Sequence, residues 1–293
     1  MELLNNAFID HSRWDRCIDR SLNGNIYGLS WYLDITCPDW EALIEGDYKA
    51  VMPLPVTSAR RRKTLAQPPF TWQLGIYSNS IMDRDMVDLF ISQLPPSYRI
   101  RILDLNKLNS PVPDSYRHHT LEHVELDLIP SYERIREHYD NSLARRLDES
   151  GPDRLTVARG LTANEFLQFL SSHDRSHRKR PGQKDLYCLR LLITNSIRYR
   201  MGELLGAYTP ENNLCAAVLV VTYRRKATLI YSVADKEGIQ RQATAVIIDE
   251  FIRAHAGEKL IMGVDNPGDT MALELFRQLG GMTFRFTRIT GKA

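Results

Sequence analysis

Cysteine is scarce in this sequence, and its placement excludes small folds built on disulfides or zinc. The 293 residues include four cysteines, no two of which are two or three positions apart: Cys17, Cys37, Cys188 and Cys215. Scattered cysteines of this kind are typical of reduced thiols rather than of a disulfide framework or a zinc knuckle. We therefore expect a cytoplasmic protein.

Long apolar runs are missing as well. The longest covers residues 215–222, far short of the roughly 20 apolar residues that a membrane-spanning helix needs. The first residues carry acidic side chains and no apolar stretch of the signal-peptide type. The formal net charge of +2 is too small to indicate a nucleic-acid or membrane partner by itself. We expect a soluble protein with no integral membrane segment.

Several catalytic motifs are also absent. The sequence contains no Gly-x-Ser-x-Gly elbow, no Walker loop and no Cys/His pairing, so hydrolase or kinase chemistry is not indicated. His173 and His177 have the i, i+4 spacing of a zinc-binding helix. This stretch is polar and continues into the basic residues 178–180, so we interpret it as a solvated helix end and expect no metal.

The order of elements favours two domains over one. A length of 293 residues fits one large domain or two ordinary ones. Helices, antiparallel strands, a helix and further strands lead up to Pro130, which breaks the chain, and a similar order then follows. We predict an α/β (α+β) protein with domains 1–130 and 131–293, each a mixed, mainly antiparallel sheet flanked by helices. The main predicted strands are 48–56, 70–77, 121–128, 213–223 and 226–234, and the main helices are 83–94, 131–147, 240–255 and 270–279.

The second half resembles the core of a GNAT acyltransferase through residues 202–235, 236–257 and 259–281. In that fold, the fourth strand of a splayed antiparallel meander leads through a short loop into a helix whose first N–H groups bind the pyrophosphate of acyl-CoA. Unpaired N–H groups and the positive end of the helix dipole make such a site suitable for anions. The resemblance therefore implies acetyl-CoA or another acyl-CoA as the donor.

The resemblance also implies which residues would bind this donor. They are Gly238, Gln240, Arg241, Gln242, Ala243 and, after the fifth strand, Asn266. The family's loop pattern is Gln/Arg-x-x-Gly-x-Gly/Ala, whereas the single glycine here, Gly238, is out of step with that spacing. A second interpretation therefore stays open, in which the protein is a catalytically degenerate relative that binds a ligand or partner.

The doubled fold is similar to the FemAB-like branch, whose members carry two GNAT-like domains and transfer aminoacyl groups from charged tRNA to peptidoglycan precursors. Residues 139–146 look like the branch's arginine-rich helix entering the second domain. Residues 30–34, 50–55 and 67–78 resemble the N-terminal part of bacterial proteins of this type. The resemblance implies aminoacyl-tRNA as an alternative donor and a small-molecule or cell-wall-precursor amine as the acceptor, bound in an interdomain cleft.

Three residues are candidates for the chemistry. Amide formation by direct attack of an amine on a thioester or ester depends on positioning and on one base. Glu203 and Asp265 are candidate bases or relays, and Tyr231 is a candidate proton donor to the leaving group. Each also has a simpler interpretation as a surface or packing residue.

Acceptor contacts are expected from the first half and from one basic loop. Gln67, Phe70, Trp72 and Gln73 combine amides and aromatic rings as ligand-binding walls do, although a proline-interrupted edge strand with Trp72 in the core explains them equally well. Arg180 belongs to the basic cluster 175–184, which, like the cluster 60–63, could bind phosphates. Charge runs are usually solvated, and we favour that interpretation for both clusters.

Overall fold

The chain folds into two compact units. The structure is a computed structural model that describes residues 1–59, 62–109, 112–148, 155–173 and 181–292. The first unit comprises Met1–Glu122 together with Phe284–Ala293, and the second unit comprises His123–Thr283. The predicted boundary at residue 130 therefore differs from the division in the structure at both ends of the second unit.

The elements up to residue 127 are mostly short strands. They are β1 (Glu2–Asn5), α1 (His11–Arg20), α2 (Ser30–Thr36), β2 (Glu41–Glu45), β3 (Ala50–Leu54), β4 (Val56–Ala59), β5 (Arg62–Leu65), β6 (Tyr77–Ser78), α3 (Arg84–Ser92), β7 (Arg99–Ile100), β8 (Leu103–Asp104) and β9 (Tyr116–Asp127). Two 3-10 turns are present at Asn6–Phe8 and Ile26–Gly28.

The remaining elements alternate more regularly. They are α4 (Tyr132–Arg136), α5 (Asn141–Asp148), β10 (Thr156–Arg159), α6 (Ala163–His173), α7 (Gln183–Arg198), β11 (Gly202–Tyr208), β12 (Leu214–Tyr223), β13 (Lys226–Ala234), α8 (Lys236–Gln240), α9 (Ala243–His255), β14 (Ile261–Val264), α10 (Thr270–Gln278) and β15 (Met282–Lys292). Among the described residues, no helix combines the length and the apolar character needed to cross a membrane.

The first unit is built on two small sheets. Strands β1, β2, β3 and β6 form an antiparallel sheet, and β4, β5 and β7 form a second one in which β5 and β7 are parallel. Asp83 is the N-cap of helix α3, and its side chain accepts from the amide of Met86, as is usual for Asp at this position. Its apolar face buries Val87, Phe90 and Ile91 in the core of this unit.

The last strand of the chain belongs to the first unit. Strand β15 pairs with β8, and its Ile289 is fully buried in the same core as Phe90. The Arg288 guanidinium donates to both carboxylate oxygens of buried Asp104, at 2.6 and 2.8 Å. Paired charge-assisted bonds of this kind are strong and directional, so they hold the end of the chain in this unit.

The second unit contains a sheet in the order β10-β11-β12-β13-β14-β9. All neighbours are antiparallel except β13 and β14, which are parallel. Helices α9 and α10 pack on one face of this sheet through Ile247, Phe251 and Phe276, and Val124 and Met262 are among the strand residues below them. We call this the α9 face. Because side chains alternate along a strand, the residues between these apolar positions point to the opposite face.

The predicted strand over residues 70–77 is not formed. Leu74 makes a single bridge to Leu105, and only Tyr77–Ser78 pairs with β3. Phe70 and Gln73 have φ angles of 55° and 51°, which are outside the extended region that a strand requires. The preceding Pro68 and Pro69 also lack the N–H groups of a sheet ladder.

The predicted helix over 131–147 is instead two helices. The amide of Asp140 donates to the carbonyl of Gln278, and its carboxylate accepts from the amides of Ser142 and Leu143. These bonds end the first helical segment and start α5. The predicted helix over 240–255 likewise begins later, at Ala243, because the short helix α8 precedes it.

Candidate functional site

Strands β13 and β14 separate along their length and leave an opening in the sheet. Their pairing is confined to three residues of β13, Lys226 to Thr228, yet β13 continues to Ala234. Opposite β12, Leu219 pairs with Tyr231 and Val220 with Leu229, so Ile230 is an extra residue that forms a bulge. Bulges bend the strand that carries them, which accounts for the divergence of β13 from β14.

The loop after β13 leads to the start of α9. Gln242 precedes the helix in the left-handed conformation, at φ 52°, and makes no side-chain cap. Within the described residues, no acceptor meets the amides of Ala243, Thr244 and Ala245. These are donors that a helix start leaves unpaired, and they are suited to an anion.

Gly238 packs α8 against β12 rather than presenting its amide to a ligand. Its N–H donates to Asp235 Oδ1 at 2.7 Å. A Cβ at this position would lie 2.1 Å from the carbonyl oxygen of Cys215, so only glycine allows this approach. The Arg241 side chain of the same loop also has a partner within the loop, because its Nε donates to Glu237 Oε1 at 2.9 Å.

The remaining predicted donor-binding residues border the same loop. Gln240 ends α8, and the side-chain oxygen of Gln242 is buried without a hydrogen-bond partner in the described part of the chain. Asn266 Oδ1 accepts from the amide of Gly268 at 2.9 Å, a bond that shapes the turn before α10. Donor binding by these residues stays a prediction.

Four ionisable side chains meet on the opposite face of the sheet, at the base of the opening. Lys226 Nζ lies 3.0 Å from Glu125 Oε1 and 2.8 Å from Asp265 Oδ1. His123 Nδ1 lies 3.3 Å from the same Asp265 oxygen. His123, Glu125 and Asp265 are buried. We call these four residues the polar cluster.

The strand pairing explains why these residues meet. His123 and Glu125 alternate on β9, and Glu125 is paired with Gly263 of β14. Asp265 follows two residues later and therefore points to the same side. A Cβ at Gly263 would be 3.2 Å from Lys226 Cε and 3.4 Å from Glu125 Cγ, so this glycine makes room for both side chains.

The electrostatics keep the polar cluster charged. Burial by itself would raise the pKa of Asp265, but Lys226 and His123 lower it below its usual value. Burial would likewise lower the pKa of Lys226, whereas Asp265 and Glu125 raise it above its usual value. Asp265 is thus ionised near neutral pH, which makes it a weak proton acceptor and suits it to orienting its neighbours.

The polar cluster has the ligand types of a metal site but already contains a cation. Donor atoms of His123, Glu125 and Asp265 lie within 4.8 Å of one another. The Lys226 ammonium is within hydrogen-bond distance of both carboxylates, so a metal ion would have to displace it. In the arrangement found, the two carboxylates share the single positive charge of Lys226.

The three predicted catalytic residues are not brought together as one group. Asp265 is in the polar cluster, and Tyr231 lies on β13 directly after the bulge, with its ring edge-on to Phe166 at a centroid distance of 6.4 Å. Glu203 is paired with Val220, a residue of the α9 face, and therefore points to that face. Glu203 and Asp265 thus lie on opposite sides of the sheet.

The predicted acceptor-binding residues of the first unit form hydrogen bonds and ring contacts that stabilise the loop in which they lie. Gln67 donates to the carbonyl of Thr71 and accepts from the amide of Asp104. The carbonyl of Gln73 accepts from Asn25 at 2.9 Å, and the carbonyl of Phe70 accepts from the Tyr32 hydroxyl. Trp72 packs edge-on to Tyr27. Acceptor binding there, and between the domains, stays a prediction. Arg180 and His177 lie outside the described residues.

Sequence reasoning missed His123, Glu125 and Lys226. Two signals were available: His123 and Glu125 alternate with apolar residues in a strand, and Lys226 opens an otherwise apolar strand. Alternation indicates a shared face, but it does not identify which strands become neighbours.

This chain is similar to several solved structures over nearly its whole length. The crystal structure of FemX aligns over 99% of this chain and 97% of its own, with a TM-score of 0.63 at 8% identity. A tandem GNAT protein from the clavulanic acid biosynthesis pathway aligns over 99% and 98%, with a TM-score of 0.56 at 12% identity. The C-terminal domain of a protein assigned as a lysylphosphatidylglycerol synthetase from Agrobacterium fabrum aligns over 98% and 93%, with a TM-score of 0.56 at 11% identity.

Sequence comparison adds nothing to this result: no protein-family model and no curated protein matches the chain. In each comparison, the structural likeness extends over nearly the whole of this chain and of the solved one. The fold is therefore GNAT/FemAB-like. The predicted fold class, mixed α/β of the tandem GNAT-like type, is confirmed. At these identities the likeness concerns the fold alone.

Proposed function

We propose that this protein transfers an acyl or aminoacyl group from an activated donor to an amine. One observation carries the proposal: the unpaired amides at the start of α9 stand at the end of a strand that diverges from its parallel neighbour. The structures that share this fold include FemX and a tandem GNAT protein, which supports transferase chemistry.

The donor would bind with its phosphates at α9. The amides of Ala243, Thr244 and Ala245 supply hydrogen-bond donors, and the helix dipole favours negative charge at the same point. An acyl-CoA brings a pyrophosphate to this position. An aminoacyl-tRNA brings a backbone phosphate and an ester, so both donors remain within the proposal.

The transfer would be a direct attack on the donor carbonyl. The amine nitrogen forms the new bond to the carbonyl carbon, and the thiolate or alkoxide leaves with the bonding electrons. The amine loses one proton to water, and the group that protonates the leaving group regains its proton from water. Burial raises the pKa of the nearby Cys215 thiol to about 11, so this thiol stays protonated and does not support a covalent intermediate. Positioning of the two substrates would then supply most of the acceleration.

Within this proposal, Tyr231 gives a proton to the leaving group. It directly follows the bulge that opens the sheet. Asp265 is a positioning residue, because its ionised carboxylate and Lys226 fix the base of the opening. Glu203 points to the other face of the sheet and takes no part.

A second candidate function is ligand binding without catalysis. It is favoured by the closure of the loop, in which Asp235 occupies the Gly238 amide and Glu237 occupies the Arg241 side chain. These charges oppose a pyrophosphate. The two functions differ in turnover, since only the first one consumes the donor.

A calorimetric titration with acetyl-CoA tests the donor site. The Thr244→Glu variant places a carboxylate at the start of α9, where the dipole stabilises the helix by about 0.3–1 kcal/mol but repels a phosphate. We expect saturable binding that Thr244→Glu weakens at least about tenfold, while the neutral Thr244→Gln control leaves it within about twofold. Equal affinity in both variants would reject α9 as the donor site.

A further inference from the structure

A small cavity near the C-terminal end of α9 is lined by basic side chains. Its volume is about 310 Å³, and its polar lining includes Arg200, Arg224, Lys259, His255, Glu203 and Glu258. All of these belong to the second unit. The predicted catalytic residue Glu203 therefore lines this cavity and not the opening between β13 and β14.

The three cations come from three separate turns. Arg200 follows α7, Arg224 lies in the β12–β13 turn, and Lys259 precedes β14. Arg200 and Arg224 both have left-handed backbones, with φ angles of 58° and 56°. Glycine is the residue that adopts this conformation at little cost, so two arginines at such positions point to a use for their side chains.

The positively and negatively charged side chains that line the cavity do not all form ion pairs with one another. Glu203 Oε2 lies 3.5 Å from Arg159 Nη1, and Glu258 Oε2 lies 3.1 Å from His255 Nδ1. Both carboxylates thus face a basic group. Arg200 and Lys259, in contrast, form no ion pair with any described residue. An excess of positive charge remains.

The cavity also contains a buried imidazole nitrogen. His255 Nε2 is inaccessible to solvent and has no hydrogen-bond partner in the described ranges. Because this atom is inaccessible, we do not assign it a contact with a ligand.

We propose that this cavity binds a phosphate monoester group, either of a soluble phosphomonoester or of a phosphatidic acid head group. A phosphate monoester carries a charge of roughly −1.5 to −2 near pH 7, which matches the two cations that lack partners, whereas a carboxylate would neutralise only one of them. Its several oxygens could also accept from the Arg224 guanidinium. A guanidinium can donate to two phosphate oxygens at once, so Arg224 favours a phosphate ligand.

This site is separate from the proposed donor site. Ala243 and His255 are the first and last residues of α9, so the thirteen-residue length of the helix separates the two sites. Phosphate binding can therefore be measured on its own, and its failure would leave the proposed transferase function untouched.

The test is calorimetric titration of the full chain with glycerol 3-phosphate, and co-sedimentation with vesicles that contain phosphatidic acid. The first variant, Arg200→Gly combined with Lys259→Gln, removes both unpartnered charges, and glycine fits the left-handed position without strain. The control is Arg198→Gln, which removes an exposed positive charge close in sequence but outside the cavity. Circular dichroism verifies the fold of each variant.

We expect one of two ligand results to support the site. Saturable binding of glycerol 3-phosphate, weakened at least about tenfold by the double variant and by less than about twofold in Arg198→Gln, identifies a soluble phosphomonoester. Binding of vesicles alone, with the same variant pattern, identifies a lipid head group. No saturable binding of either probe, or equal weakening by Arg198→Gln, would overturn the proposal.

Discussion

Lys226 carries the charge that two buried carboxylates of the second unit require. Replacing it by methionine keeps the stem but leaves Glu125 and Asp265 facing each other without a cation. Removal of one partner from a buried ion pair is strongly destabilising, because the remaining charges stay desolvated. We expect Lys226→Met to lower the free energy of unfolding by about 3 kcal/mol, measured by urea denaturation.

The neighbouring Arg225 provides the matched control. It is exposed in the same turn, so Arg225→Met should change the free energy of unfolding by less than about 0.5 kcal/mol. Equal effects of the two substitutions would mean that net charge, and not the polar cluster, determines the stability.

The polar cluster also predicts how stability depends on pH. The pKa of Asp265 is lower in the folded than in the unfolded chain. Its contribution is therefore present above the unfolded value of about 3.9 and is lost as pH falls through the folded pKa. The pKa of Lys226 is raised, so its contribution is present below about 10.4 and is lost as pH rises through the folded pKa.

Denaturation measured across pH verifies both signs. Wild type should lose stability below about pH 4 and above about pH 10, and Lys226→Met should lose the alkaline component. An unchanged alkaline loss in Lys226→Met would contradict the assignment of that component to Lys226.

At the scale of elements, α8 depends on one close approach. Gly238→Ala would place a Cβ 2.1 Å from the Cys215 carbonyl oxygen on β12, so α8 and the strand would have to move apart. Overpacking of this kind is destabilising by about 1–3 kcal/mol, measured by thermal or urea unfolding. Gly268→Ala is the control, since its nearest contact is the Asn266 side chain at 3.3 Å; a larger effect there would refute the packing argument.

Local signals define some elements well and others poorly. Strand β13 has the predicted bounds, 226–234, because a turn and the capping residue Asp235 flank an apolar run. Residues 70–77 are equally rich in strand-forming side chains. The prolines before them and the hydrogen bonds of the Gln67 side-chain amide nevertheless favour a loop. The hydrogen bond between Gln67 and Asp104 joins residues that are far apart in the sequence, so a local sequence pattern does not predict it.

The polar cluster is beyond sequence reasoning for the same reason. Glu125 and Lys226 are 101 residues apart, and their meeting depends on β14 entering between β9 and β13. Of the four residues of the polar cluster, only Asp265 is predicted from the sequence, as a candidate base or relay. Topology decides which of many scattered charged residues become neighbours.

At the scale of the whole molecule, the C-terminal strand completes the first unit. Arg288→Met would leave the fully buried carboxylate of Asp104 without its bidentate partner. We expect a loss of about 3 kcal/mol in the free energy of unfolding. The exposed Arg285→Met on the same strand is the control, and a comparable loss there would show that Asp104 is not the cause.

The central claim, transfer to an amine, is tested most directly by mass spectrometry of amide products. A panel of small-molecule and cell-wall-precursor amines is incubated with acetyl-CoA or an aminoacyl-tRNA and the purified chain. We predict a donor-dependent amide product whose rate of formation falls at least about tenfold in Tyr231→Phe and is unchanged in the exposed control Tyr187→Phe. No product and no donor consumption from either donor, with folded protein, would contradict the transferase account and favour ligand binding without catalysis.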